Sequence, residues 1–123
     1  MSVMIKRIIV AGSRDYNNYR EAKKYIDFCI SRIKEIYTLV FLSGGCKGAD
    51  FLGEKYAAEN NFPIEKFPAD WKKYGRSAGA RRNREMANLC DYVICFWDGK
   101  SRGTKLIIDY AIKIGKPIKI KFV

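Results

Sequence analysis

Leu39-Val40-Phe41-Leu42-Ser43-Gly44-Gly45-Cys46-Lys47-Gly48-Ala49-Asp50 is the stretch on which the fold turns. Leu39 to Leu42 form a short apolar strand, and Ser43-Gly44-Gly45 ends it. Ala49 then starts a helical repeat that continues through Leu52, Gly53, Tyr56 and Ala57. A buried strand passing through a glycine turn into a helix is the opening half of a βαβ unit. Such units build parallel sheets covered by helices on both faces.

The same alternation extends in both directions. Upstream, Ile5 to Ala11 is an apolar run that exits at Gly12-Ser13, and Ala22, Tyr25, Ile26, Cys29, Ile30, Ile33 and Ile36 predict one long amphipathic helix. Downstream, Pro63 to Phe67 reads as a third strand, followed by a long loop from Pro68 to about Gly75. A third helix runs from Arg82 to Leu89 or starts a turn earlier, and Tyr92 to Trp97 is the fourth strand. Thr104, Ile107, Ile108, Ala111 and Ile112 predict the last helix, with Gly115 and Pro117 as its stop signal. Ile118, Ile120 and Phe122 alternate with lysines, the pattern of a strand near a sheet edge. The expected fold is α/β: a Rossmann-like open parallel sheet of five strands with helices on both faces. With 123 residues and no repeat or linker, the chain reads as one domain spanning 1–123.

Composition narrows the function. The chain is 48% hydrophobic, yet no apolar run approaches the roughly 20 residues of a membrane helix. Met1-Ser2-Val3-Met4-Ile5-Lys6 leads into the first strand without a signal-peptide layout, so a cytoplasmic protein with no membrane partner is expected. Cys29, Cys46, Cys90 and Cys95 lack zinc-knuckle or redox spacing, and there is no histidine; no metal and no cofactor are expected. The lack of histidine excludes a Ser-His-Asp triad, so acid–base work would fall to carboxylates, Tyr, Lys, Cys or water. The net charge is +11. Lysines are scattered, whereas Arg76, Arg81, Arg82 and Arg84 cluster, which points to an anionic partner.

In open parallel sheets ligands bind beyond the carboxyl ends of the strands. Three strand-exit loops there are unusual. Ser43, Gly44, Gly45, Lys47 and Gly48 offer backbone N–H groups that no Cβ shields, next to a helix start. Asp50 is either a first-turn helix carboxylate or a contact to a ribose or a metal-bound water. Asp98-Gly99-Lys100-Ser101-Arg102-Gly103-Thr104 repeats that chemistry, although Ser101 or Thr104 can equally cap the helix. In Gly12-Ser13-Arg14-Asp15, Arg14 is either a phosphate fork or an ion-pair partner of Asp15 or Asp98. A fourth segment joins Trp71 and Tyr74 to Arg81-Arg82-Asn83-Arg84, and an aromatic near arginines can stack a base.

These four segments, in this order, resemble the YspA-like branch of the SLOG superfamily. That superfamily includes the lonely-guy nucleoside-monophosphate phosphoribohydrolases and the DNA-processing protein A family. The resemblance covers nearly the whole chain. It implies the strand order 3-2-1-4-5, binding of nucleotides or ADP-ribose-like derivatives, and a homo-oligomer (dimer or larger). In the phosphoribohydrolases an arginine in an Arg-Lys-x-x-Met segment and a glutamate just after Gly-Thr carry catalysis. Arg82-Asn83-Arg84-Glu85-Met86 matches the first, with Asn for Lys. After Gly103-Thr104 come Lys105, Leu106, Ile107 and Ile108, so the glutamate is absent. Glycosidic cleavage needs a carboxylate near the anomeric centre. Among the loop carboxylates Asp15, Asp50, Asp70 and Asp98, Asp50 and Asp98 are best placed to substitute, with Arg82 as their catalytic companion.

The leading expectation is therefore a nucleotide-ligand binding protein, acting as a sensor or sequestering module through Gly12, Ser13, Arg14, Ser43, Gly44, Gly45, Lys47, Gly48, Asp50, Trp71, Arg82, Asn83, Asp98, Ser101, Gly103 and Thr104. The alternative is a nucleotide hydrolase that cleaves the N-glycosidic bond. Single-stranded nucleic-acid binding is the third.

Overall fold

In the computed structural model residues 4–123 are described, so the lead-in at residues 1–3 lies outside the described residues. The elements run β1 (Ile5–Gly12), α1 (Tyr19–Ile30), α2 (Ile33–Ile36), β2 (Thr38–Ser43), α3 (Ala49–Glu59), β3 (Ile64–Lys66), α4 (Trp71–Tyr74), a 3-10 turn (Gly75–Ser77), α5 (Ala78–Leu89), β4 (Tyr92–Trp97), α6 (Arg102–Lys113) and β5 (Ile118–Phe122). The five strands form one sheet in the order β3-β2-β1-β4-β5, and every pairing is parallel.

The period of two along each strand sorts the core into two layers. Ile8 and Val10 of β1, Leu39 and Phe41 of β2, and Ile94 and Phe96 of β4 face one side, where Ile26 and Ile30 of α1 and Leu52 and Tyr56 of α3 cover them. Ile9 and Ala11, Val40 and Leu42, and Val93 and Cys95 face the other, under Met86 of α5 and Ile107, Ile108 and Ala111 of α6. Strands β1 and β4 are buried on both faces, as their unbroken apolar runs predict. Each fully buried aliphatic side chain contributes about 1.5–3 kcal/mol relative to exposure.

Three local expectations are corrected. The helix predicted to run from Ala22 to Ile36 breaks at Ser31-Arg32 into α1 and α2. Ser31 donates its hydroxyl to the Phe28 carbonyl, a bond that competes with helix continuation, and Ile36 ends up exposed. The loop expected from Pro68 to Gly75 contains α4, started by Asp70, whose carboxylate accepts from the Lys73 N–H. Strand β3 keeps only Ile64–Lys66 of the expected Pro63-to-Phe67 span.

The two sheet edges differ from the centre. The β3 edge is three residues long. The β5 edge carries Lys119 and Lys121 on its α1 side, with the Lys121 ammonium 5.5 Å from the centre of the Tyr25 ring.

Candidate functional site

From β1 the chain winds outward one way through β2 and β3, then returns to the centre and winds the other way through β4 and β5. The strand order therefore reverses between β1 and β4, and a crevice opens beyond their carboxyl ends. It has a volume of about 270 Å³ and is lined by residues from five segments, including Gly12 and Arg14 after β1, Cys46 and Asp50 after β2, Trp71 and Arg76 around α4, Arg82 and Asn83 of α5, and Ser101, Gly103 and Thr104 at the start of α6.

Ser13 ties the loops together. Its backbone N–H donates to the Phe96 carbonyl at 2.9 Å, and its hydroxyl accepts from the Asp98 N–H at 3.1 Å. Its carbonyl accepts from the N–H of Tyr16 and, at 3.4 Å, from that of Ala49 at the start of α3. Gly48 sits against the same carbonyl with a φ of +79°, and a Cβ there would fall 2.2 Å from Ser13 O. Only glycine fits both the left-handed backbone and the close approach. Gly48, expected from sequence to face a ligand, presses the β2 loop onto the β1 loop. Ser43 is similarly engaged: its hydroxyl donates to Glu54 at 2.6 Å and accepts from the Gly45 N–H at 3.1 Å.

Arg82 is the least expected member. It lies on α5, is 7% exposed, and its guanidinium reaches under the β2 loop. It donates to the carbonyl of Gly44, to Asn83 Oδ1 at 2.9 Å, to Cys46 Sγ at 3.4 Å, and more distantly to the Phe67 carbonyl. A Cβ on Gly44 would stand 2.9 Å from the guanidinium carbon, so glycine is needed for the arginine to lie there. Every one of these acceptors is neutral. The ion pairs among the described residues are Arg7–Glu65, Lys66–Glu54 and Lys105–Asp109, and none involves Arg82. Arg82 is therefore a buried cation without a hydrogen-bonded anion, and its charge in the crevice is offset only by the nearby carboxylate of Asp50.

Asp50, in the first turn of α3, is the nearby carboxylate. Burial pushes its pKa up to about 6, against the pull of the Cys46 N–H and the Arg82 charge. Neighbouring Glu54 raises it further, and the Gly44 N–H lowers it. Asp98 behaves differently. It is exposed outside the crevice, and its carboxylate accepts from the N–H groups of Ser101 and Lys100 at 2.8 Å each, which holds its pKa below the ordinary value.

The start of α6 is open. Ser101 occupies the cap position without a side-chain cap bond; its Oγ instead accepts from the Thr104 hydroxyl at 3.2 Å. No acidic residue stands in the first turn itself, and the N–H groups beyond Ser101, whose own N–H is held by Asp98, lie at the crevice with the positive end of the helix dipole. The wall beyond is apolar, because Leu106 and Ile107 line the crevice and Lys105 does not. At the rim, Trp71 is 58% exposed and packs over Gly79. Arg81 lies 4.4 Å over the Tyr74 ring.

The structure thus brings Gly12, Arg14, Asp50, Trp71, Arg82, Asn83, Ser101, Gly103 and Thr104 into the crevice, and Gly44 and Gly45 into an adjoining hollow. Ser13, Ser43, Lys47, Gly48 and Asp98 line neither. Among the described residues Arg14 makes no ion pair with Asp15 or Asp98. Sequence reasoning missed Cys46 and Arg76 as lining residues, and Leu106 and Ile107 as the apolar wall. The thiol position in a glycine loop was the available signal for Cys46.

No helix among the described residues is long and apolar enough to cross a membrane. Residues 6–74 match the model of the YspA, cpYpsA-related SLOG family. The chain is 30% identical over 120 residues to the Gene 61 protein of Mycobacterium phage D29, in a match that spans 93% of this chain and 94% of that protein. Its fold is similar to that of DNA processing protein A from Streptococcus pneumoniae, with a TM-score of 0.68 at 20% identity; the match covers 95% of this chain and spans half the length of that one. A parallel sheet in this order, a crevice at its switch point and the matched segment carry one conclusion: the chain belongs to the YspA, cpYpsA-related SLOG family.

Proposed function

We propose that the chain binds a nucleotide or nucleotide-derived ligand in the crevice between β1 and β4, and acts as a sensor or sequestering module. The observation that carries this reading is Arg82, buried at the crevice floor and hydrogen-bonded to neutral partners. The uncapped start of α6 supplies a second anion-favouring element from the opposite wall. In this reading phosphate oxygens meet the N–H groups of Gly103 and Thr104, Arg14 and Arg76 approach from the rim, and Trp71 offers a face for the base. The apolar wall of Leu106 and Ile107 favours binding over hydrolysis, because it places no carboxylate beside the bound ligand on that side. Calorimetry against AMP and ADP-ribose, with native mass spectrometry of gently purified protein, tests the reading. Binding below millimolar concentration is expected; the absence of both binding and a co-purified ligand overturns it.

A second reading rests on Asp50. A crevice carboxylate with a pKa near 6 can exchange protons at neutral pH, as cleavage of an N-glycosidic bond requires. Incubation with nucleoside monophosphates would then release free base and ribose 5-phosphate, and Asp50→Asn would abolish the release. Activity surviving that substitution excludes Asp50, while Asp98 lies outside the crevice. Single-stranded nucleic acid is the third reading, supported by exposed Trp71 and by Lys73 and Arg81 over Tyr74. It requires oligonucleotide affinity that falls steeply with salt.

A further inference from the structure

A second hollow of about 330 Å³ adjoins the crevice, and the two meet at Cys46, Trp71 and Arg82. Their chemistry differs. The crevice presents Arg14, Arg76, Asn83 and the α6 start, whereas the hollow is walled by Phe67, Pro68, Ala69 and the shared Trp71, over the backbone of Gly44 and Gly45. At Gly45 a Cβ would meet no heavy atom within 4 Å, so the space over that loop is open. Lys66 at the hollow's rim is held by Glu54 at 3.5 Å. Arg82, the buried arginine among the described residues, lies at the junction of the two spaces.

Size and charge lead to the same ligand shape. Small-molecule sites span about 300–1,000 Å³, so the crevice alone falls just short of that range and the joined spaces fall well within it. An anionic segment suits the junction, a planar apolar ring suits the hollow, and a phosphate- or ribose-bearing half suits the polar crevice. Resting on the nucleotide reading above, we propose that Phe67, Pro68, Ala69 and Trp71 wall a second, ring-binding subsite, so that the preferred ligands are two-headed nucleotides whose phosphoryl bridge lies over Arg82. Trp71 stands between the two heads and serves both.

The test compares AMP, ADP-ribose and a diadenosine diphosphate by calorimetry on the full chain and on Ala69→Trp, which fills the hollow. In the unaltered protein the diadenosine compound should bind at least tenfold tighter than AMP. Ala69→Trp should erase that advantage and leave AMP within twofold of its original affinity. Ala69→Leu, a smaller fill, gives the same ordering with a lesser loss if Ala69→Trp does not fold. Equal affinity for AMP and the diadenosine compound overturns the second subsite and leaves the nucleotide reading standing. The subsite is also overturned if both fills weaken AMP as much as the two-headed ligand. Failure of all three ligands to bind removes the nucleotide reading itself.

Discussion

The loop after β2 and the loop after β4 look alike in sequence, each with glycines, a hydroxyl and a helix start, but the fold uses them in opposite ways. In the first, Ser43 is engaged with Glu54 and the Gly45 N–H, Gly48 presses against Ser13, and the carbonyl of Gly44 is held by Arg82. In the second, Ser101 makes no side-chain cap bond, the first turn of α6 holds no acidic residue of its own, the Asp98 carboxylate is taken up by the Lys100 and Ser101 N–H groups before it, and Gly103 has nothing within 4 Å of a would-be Cβ. Gly48 and Ser43 make that side of the β2 loop a scaffold, whereas beyond the Asp98 turn the Gly103 end of the β4 loop stays open. Glycine content reports permission for close approach; what approaches, a ligand or the rest of the protein, depends on the neighbouring loops.

Substitution should separate the two most sharply at the glycines. Gly48→Val forces a branched Cβ into the Ser13 carbonyl at a positive φ, and a loss of about 3 kcal/mol or more is expected in urea denaturation. Gly103→Glu, at the open loop, should leave the denaturation midpoint within error or slightly higher, since an acid in the first turn suits the dipole. The same carboxylate should weaken an anionic ligand roughly tenfold, about 1.4 kcal/mol, by calorimetry. If Gly48→Val folds normally, or Gly103→Glu binds unchanged, the division between scaffold and open loop fails.

A smaller effect is expected at Ser43. Ser43→Ala removes two hydrogen bonds and leaves a Glu54 oxygen without its donor, costing about 1–2 kcal/mol of stability, with ligand affinity changing only as folding does. The smallest effect concerns pH. Because burial raises the Asp50 pKa from 3.8 to about 6, folding favours its protonated form. That contribution is fully present below about 3.8 and is lost as pH rises through about 6. Protonation also removes a negative charge from the crevice. A pyrophosphate ligand with no titration of its own near pH 6 should therefore bind a few-fold tighter at pH 5 than at pH 7.5, and Asp50→Asn should flatten that slope. A pH-independent affinity in the unaltered chain would separate Asp50 from the ligand.

Much of the fold is legible in the sequence because its signals are local. The apolar runs of β1, β2 and β4 need no partner to be read, and Gly115 with Pro117 marks the end of α6. The strand order comes from the family resemblance and agrees with the pairing found. The α1–α2 break is hidden because Ile33 and Ile36 keep the helical period past the point where the Ser31 hydroxyl bonds back to Phe28. At the site, the sequence supplies the chemical groups but not their availability. Arg82 stands in an arginine cluster that could equally coat a solvated surface, yet a contact 38 positions away, to Gly44, buries it. Asp98 and Asp50 look equivalent beside their loops; the exposed Asp98 carboxylate is taken up by the Lys100 and Ser101 N–H groups, and only depth in the fold separates the two. Phe67, Pro68 and Ala69 carry no chemical signal and are seen as a wall only once α4 folds beside them.

The lysines of β5 bear on how the sheet ends. A parallel sheet can accept another strand wherever backbone groups remain open, and Ile118, Ile120 and Phe122 would make that addition adhesive. Lys119 and Lys121 instead lay their alkyl stems toward α1 and carry their charges to the margin, so an incoming strand of the same sequence would meet its own lysines. At the far side, β3 offers too few residues to template a neighbour. Growth of the sheet is opposed by shortness at one margin and by like charge at the other.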